Sequence, residues 1–210
     1  MTGRVHAHPS MPAGAAIRLY GRRVLLRPLT AGDWTQWSEV RQRNEQWLSP
    51  WEPMRPANVL DPTRDRDAFT SRCNARDRDR QMGIAYGFGL FIGADFAGEI
   101  NLNGVVRGAQ QGATIGYWID RAHAGQRYTA EGVVALTRFS FEQLHLHRLE
   151  VCIVPRNHNS RRVMDVLAFR EEGVAQRFLE INGTWEDHVR YGITAEEWAA
   201  RSQELSAAWL

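Results

Sequence analysis

The chain has 210 residues, 43% of them apolar and 24% charged, an ordinary globular composition that supports one domain with a substantial core and is short for two. Its formal net charge of +2 is too small to argue for a nucleic-acid footprint, and no apolar run approaches the roughly 18 residues that spanning a bilayer takes. All 26 basic residues are arginines, which excludes lysine-based phosphate loops, kinase-type lysines and Schiff-base chemistry.

Residues 1–16, MTGRVHAHPSMPAGAA, carry one arginine with no hydrophobic stretch behind it. They read as a flexible arm rather than a secretory signal, with a single domain expected over 17–210. Cys73 and Cys152 stand in no metal or disulfide pattern and read as free or buried thiols, as in a cytoplasmic protein. RRVLLRPLT is a short β-rich run stopped by Pro28 and Thr30. AGDWTQWSEVRQRNEQWL then sets Trp34, Trp37, Asn44, Trp47 and Leu48 at helical spacing, with Thr30 or Asp33 as the cap and the three tryptophans as core. Pro50 and Pro53 in SPWEPMRP end that helix and open an irregular connection. The alternating charges of DPTRDRDAFTSRCNARDRDR predict a solvated, ion-paired helix around Asp65–Arg78.

From Gly83 the pattern changes to strands. IAYGFGLFI, FAGEINLNGVV and ATIGYWI are separated by the turn signals GAD and RGAQQG and predict an antiparallel meander. A loop and an apolar helix to about Leu144 follow, and then the strand RLEVCIV, so that helix is a crossover between parallel strands. NHNSRRVMDVLAF is a second amphipathic helix, opened by Asn157 or Asn159. REEGVAQRFLEINGTWEDHVRYGI is a hairpin turning at Asn182–Gly183. TAEEWAARSQEL opens with a capping box, Thr194 with Glu197.

The segments GYWIDRAHAGQRYTAEGVVAL and VPRNHNSRRVMDVLAFREEGV, in this order of elements, resemble the coenzyme A segment of the GNAT acetyltransferases and the helix that follows it. SPWEPMRP, NLNGVVRG and INGTWEDHVRY resemble the RimJ-type branch, the ribosomal-protein alanine N-acetyltransferases. The likeness runs from about Ile17 to Thr194. It implies an α+β GNAT fold: a mixed, mostly antiparallel central sheet, helices on both faces, and a parallel splayed strand pair at the acetyl-CoA site.

The resemblance also assigns residues. Backbone groups of Trp118, Ile119 and Asp120 would align the pantetheine, and Gly125, Gln126, Arg127, Tyr128, Thr129 and Ala130 would hold the pyrophosphate through N–H groups at a helix N-terminus. The family loop runs Q/R-x-x-G-x-G/A. Here Ala124 replaces the first residue, Arg127 the first glycine and Thr129 the last small residue, so Arg127 must reach a positive φ at a cost of roughly 1 kcal/mol. Asn157, beside the acetyl carbonyl, and Ser160, beside the sulfur, share one face of a helix start, where both residue types are also ordinary caps.

Glu99 lies where several GNAT enzymes carry a catalytic glutamate, and it is the first candidate for a base or amine anchor. It shares a strand face with Asn101 and Asn103. Asn101, Tyr117, Trp51 and Glu52 are expected near the substrate; Tyr117 and Tyr128 could donate to the sulfur or simply pack. Glu131 reads as structural. Asp187 and His188 point to opposite faces, and His145 and His147 lack the further ligands a metal needs. The resemblance implies acetyl transfer from acetyl-CoA to an amine, with the N-terminal amine of a ribosomal protein as acceptor and no membrane or direct nucleic-acid partner. A small-molecule amine acetyltransferase and a non-catalytic acyl-CoA-binding module in ribosome assembly are the alternatives. Whether the chain acts as a monomer or a homodimer stays open.

Overall fold

The computed structural model describes residues 17–210; the arm 1–16 lies outside the described residues. The first layer of structure is β1 (Leu19–Tyr20), β2 (Val24–Arg27), α1 (Trp34–Arg43), α2 (Glu45–Leu48) and α3 (Arg66–Gln81). The meander follows as β3 (Tyr86–Ile92), β4 (Asp95–Val106) and β5 (Gly112–Ile119). The chain continues through α4 (Tyr128–Glu142), β6 (Arg148–Ile153), α5 (His158–Leu167), β7 (Arg170–Ile181), β8 (Thr184–Thr194) and α6 (Ala195–Trp209).

Among the described residues the eight strands form one sheet in the order β1-β2-β3-β4-β5-β6-β8-β7. Every pairing is antiparallel except β5 with β6. The parallel pair registers only at Gly112–Arg148, Ala113–Leu149 and Thr114–Glu150. Beyond Thr114 the two strands part, β5 staying with β4 and β6 with β8. A cleft therefore opens at the middle of the sheet.

The two faces of the sheet are covered differently. On one, the apolar face of α4 packs with α6 and the inward residues Leu26, Phe88, Leu90, Ile100, Leu102 and Leu149, all essentially buried. On the other, α1 and α3 enclose a smaller cluster around Trp37, Val40, Phe69, Phe91 and Phe96. Alternation along β4 sends Ile100 and Leu102 to the first face and Glu99 and Asn101 to the second.

Two expectations shift. The tryptophan-rich helix is broken at Asn44, which leaves helical geometry and uses its side chain to tie the end of α1 to β5. Its Nδ2 donates to Val40 O and to Asp120 Oδ1, both at 2.8 Å, and its Oδ1 accepts from Arg121 N at 2.9 Å. The charged helix α3 begins after its cap, Asp65, which accepts from Ala68 N, and it is not solvated all round. Phe69, Arg72, Cys73 and Arg76 recur at three-to-four spacing and face inward. The capping box at Thr194–Glu197 and the hairpin turn at Asn182–Gly183 form as expected, and Thr30 and Asp33, read as alternative caps, form a capping box together.

Candidate active site

The cleft between β5 and β6 widens into a cavity of about 480 Å³. Its walls come from Gly116 to Ile119 on β5, the loop and helix start (His123 to Gly125 and Arg127 to Ala130), one face of α5, and Trp47, Leu48 and Trp51 to Pro53. The bottom of the sequence motif thus becomes the floor of a pocket.

The loop supplies main-chain donors. Gly125 has φ 78° and Arg127 has φ 68° with ψ 9°, so both occupy the left-handed region. That turn aims successive amides the same way. The N–H groups of Gly125, Gln126 and Arg127 have no partner among the described residues, and the first bond of α4 runs from Glu131 N to Arg127 O at 3.1 Å. The amides of Tyr128, Thr129 and Ala130 are then the orphan donors of a helix start. Arg127 itself lines the cavity and forms no ion pair among the described residues. A cluster of unpaired amides at the positive end of a fifteen-residue helix is chemistry suited to a phosphate.

Glu131 fixes where that helix starts. Almost wholly buried in the first turn, its carboxylate accepts from Arg23 N, from Val24 N at 3.0 Å and from Arg23 Nε at 2.9 Å. The helix start is thereby pinned to β2. Arg23 also reaches Gln126 O at 3.3 Å and lies over the Tyr128 ring at 4.5 Å. Gln126 is not among the residues that line the cavity.

The opposite wall is α5. Asn157 caps it, Oδ1 accepting from Ser160 N at 3.1 Å. Ser160 Oγ donates to Tyr117 Oη at 3.1 Å, and Tyr117 Oη donates to Ser160 O at 2.9 Å. Burial pushes the Tyr117 phenol well above its ordinary pKa, with the Ser160 hydrogen bond only partly offsetting it. The phenol stays neutral, holding the serine in place. Asn157, Asn159, Ser160, Arg162, Val163 and Val166 all line the cavity. The sequence reading placed only Asn157 and Ser160 at the site and missed the other four, although Asn157, Ser160, Val163 and Val166 recur every third residue on one face.

Other expected residues are placed elsewhere. Asp120 does not line the cavity. It is buried against Arg43, Asn44 and Ala122 N, and although burial works against its charge, these partners hold its carboxyl below the usual range. Its task is to join α1 to the end of β5. Trp47, read as core, lines the cavity and donates from Nε1 to Ile119 O at 3.3 Å.

Glu99, on the same face of β4 as Asn101, does not line this cavity. At 1% exposure it receives Trp37 Nε1 at 2.6 Å, Arg72 Nη2 at 2.8 and 2.6 Å, and Arg76 Nη1 at 3.0 Å. Burial alone would raise its pKa, but the two guanidiniums and the indole N–H outweigh that and lower it to about 2. Such a carboxylate is a poor proton acceptor, so the geometry does not suit the base expected of it. Glu99 lines a second cavity, of about 560 Å³, together with Arg41, Arg72, Arg76 and the 52–55 and 61–64 segments. Glu52, Pro53, Asn101 and Trp118 line both cavities. Glu52 itself is held by Arg41 in two bonds of 2.7 Å, and its carbonyl accepts from Asn182 N at 2.9 Å, which docks the hairpin tip over this loop. Among the described residues no cluster of His, Cys, Asp or Glu could hold a metal ion.

Comparison with known proteins agrees with this geometry. The family described as "Acetyltransferase (GNAT) domain" matches residues 23–170. Bacillus subtilis "Probable N-acetyltransferase YjcK" is 32% identical over 172 residues, covering 81% of this chain and 93% of that protein. The Escherichia coli "[Ribosomal protein uS5]-alanine N-acetyltransferase" is 29% identical over 184 residues, 87% of this chain and 93% of its own. Among solved structures, Mycobacterium smegmatis RimJ in complex with CoA-disulfide superposes with a TM-score of 0.77 at 29% identity, covering 89% of this chain and 94% of that one. The chain belongs to the GNAT acetyltransferases.

Proposed function

We propose that the chain transfers an acetyl group from acetyl-CoA to the α-amino group of a protein N-terminus, with Ala or Ser of a ribosomal protein as the acceptor its relatives suggest. Bound in the cleft, acetyl-CoA supplies an acetyl group already activated as a thioester. The amides from Gly125 to Ala130 would hold its pyrophosphate, helped by the Arg127 guanidinium. The edge of β5 beyond Thr114, where pairing with β6 has ended, would run beside the pantetheine like a neighbouring strand.

The observation that carries this reading is one cavity uniting the amide cradle with the Tyr117–Ser160 pair. In that pair Ser160 Oγ is the hydroxyl able to turn from Tyr117 and stabilise a leaving thiolate. Asn157 commits Oδ1 to its cap and keeps its Nδ2 donor for a carbonyl. The amine must be neutral to attack. An α-amino group has a pKa of about 7.7–8.0, so a useful fraction is neutral near pH 7.5 and water can take the proton. A lysine amine near 10.4 would need a strong base, and Glu99, held ionised by its arginines, is not one.

Calorimetry with acetyl-CoA, followed by a thiol-release assay over peptides beginning with Ala, Ser or Met and a panel of free amines, tests the reading. Submillimolar binding and turnover of the peptides are expected. Binding without turnover of any amine would leave an acyl-CoA-binding module, and turnover of free amines alone would make the acceptor a small molecule.

A further inference from the structure

The second cavity carries a charge imbalance that the proposed transfer does not explain. Its inner end has three guanidiniums, Arg41, Arg72 and Arg76, against two carboxylates, Glu52 and Glu99. The other charged lining residues, Arg55 and Arg64 against Glu45 and Asp61, cancel. One cation is therefore in excess in a partly desolvated pocket, where an uncompensated charge is unfavourable. Two further observations agree. Arg72 Nη1 is buried without any hydrogen-bond partner, although a buried donor normally has one. Burial, with Arg72 adding to it, pulls Arg76 below the ordinary guanidinium pKa despite Glu99.

This pocket adjoins the proposed site of transfer. Asn101 and Trp118 form part of both cavities, and Asn101 Oδ1 accepts directly from Arg76 Nη1 at 2.7 Å. An extended peptide advances about 3.3 Å per residue, so an amine at the shared wall places its next side chains against the guanidiniums.

Resting on the reading above, we propose that the second cavity receives the acceptor and selects N-termini with Asp or Glu close behind the amine, their carboxylate supplying the missing negative charge. A carboxylate and a guanidinium make charge-assisted, often two-pronged hydrogen bonds, and the uncharged amide isostere cannot replace them. A cationic tail in the same place would meet the excess arginine and be disfavoured.

The test is a thiol-release assay of the full chain on matched peptides, Ala-Asp-Ala-Ala against Ala-Asn-Ala-Ala and Ala-Lys-Ala-Ala. The proposal expects kcat/KM at least about tenfold higher for the Asp peptide than for the Asn peptide, mostly through KM, and shrinking as salt screens the charges. Equal rates within twofold for Asp and Asn overturn it while leaving N-terminal transfer standing. No turnover of any peptide, with free amines acetylated, overturns both readings. Free aspartate acetylated as efficiently as the Asp peptide overturns the peptide part of the proposal. Arg72→Gln leaves two guanidiniums against two carboxylates, and it is expected to shrink the Asp-over-Asn preference to threefold or less. Unchanged acetyl-CoA affinity shows that this variant is folded, and a full preference retained in it contradicts the assignment.

Discussion

The two cavities, which share Glu52, Pro53, Asn101 and Trp118 as a common wall, are built from different materials. The cleft at the splayed strands is made of main chain: orphan amides of a helix start, a left-handed turn and a strand edge, with Ser160 and Tyr117 the main side-chain chemistry. The pocket on the α1–α3 face is made of long charged side chains held in pairs, Arg41 with Glu52 and Arg72 and Arg76 with Glu99. Backbone donors do not depend on which side chain stands beside them, so the loop can carry an arginine at its left-handed position. Side-chain pockets change with every substitution, and this is where members of one family can differ in what they acetylate.

The comparison can be broken most forcefully at Glu99. Removing its charge strands two half-buried guanidiniums, and Glu99→Gln is expected to cost about 3 kcal/mol of stability, the low end for breaking a buried pair. Thermal melts at neutral pH check this. The folded pKa of about 2 lies below the ordinary 4.5, so this stabilisation is present above pH 4.5 and is lost as pH falls toward 2. A melting temperature for Glu99→Gln that parallels wild type across that acid range would show that the carboxylate is not held as described.

Ser160→Ala comes next. The cap at α5 uses the Ser160 backbone N–H, not its hydroxyl, so folding and acetyl-CoA affinity should be retained while kcat falls tenfold or more, the scale of general-acid help. An unaltered kcat would leave the serine as a packing residue. Arg127→Gly sharpens the main-chain claim: it relieves a positive φ and deletes a charge. Acetyl-CoA affinity is expected to drop only about fivefold, within the roughly 1 kcal/mol of one exposed charge contact, and the drop should vanish at high salt. A loss of a hundredfold would mean that the guanidinium, not the amides, holds the ligand. The smallest effect belongs to Tyr117→Phe, which keeps the ring and removes the hydroxyl that orients Ser160. A kcat lowered about threefold is expected, from one neutral hydrogen bond of roughly 0.5–1.5 kcal/mol, with KM unchanged.

This difference in materials also explains what could be read in advance. The meander, the crossover helix, the Thr194–Glu197 capping box and the turn at Asn182–Gly183 follow from local signals in the chain, while the positive φ of Arg127 follows from its place in the loop pattern that the segment resembles. The surroundings of Glu99 do not. They join β4 to α1 and to two arginines 27 and 23 residues upstream, in a run whose alternating charge looked solvated. Phe69, Arg72, Cys73 and Arg76 do share one helix face, so arginines on an apolar stripe were the available sign of a buried anion. Trp47 was read as core because helical spacing cannot separate a residue packed inside from one facing a cleft, and the break at Asn44 depends on Asp120, far away in sequence. The Asp120 carboxylate is taken up by Arg43 and Asn44, partners that no local signal announces.

The central claim is that main-chain amides between Gly125 and Ala130 grip a pyrophosphate, and comparing acetyl-CoA with acetyl-pantetheine by calorimetry tests it directly. Two charge-assisted hydrogen bonds of about 1.5–3 kcal/mol each predict that acetyl-pantetheine, lacking the diphosphate, binds at least a hundredfold more weakly. Equal affinity for the two ligands would contradict the account.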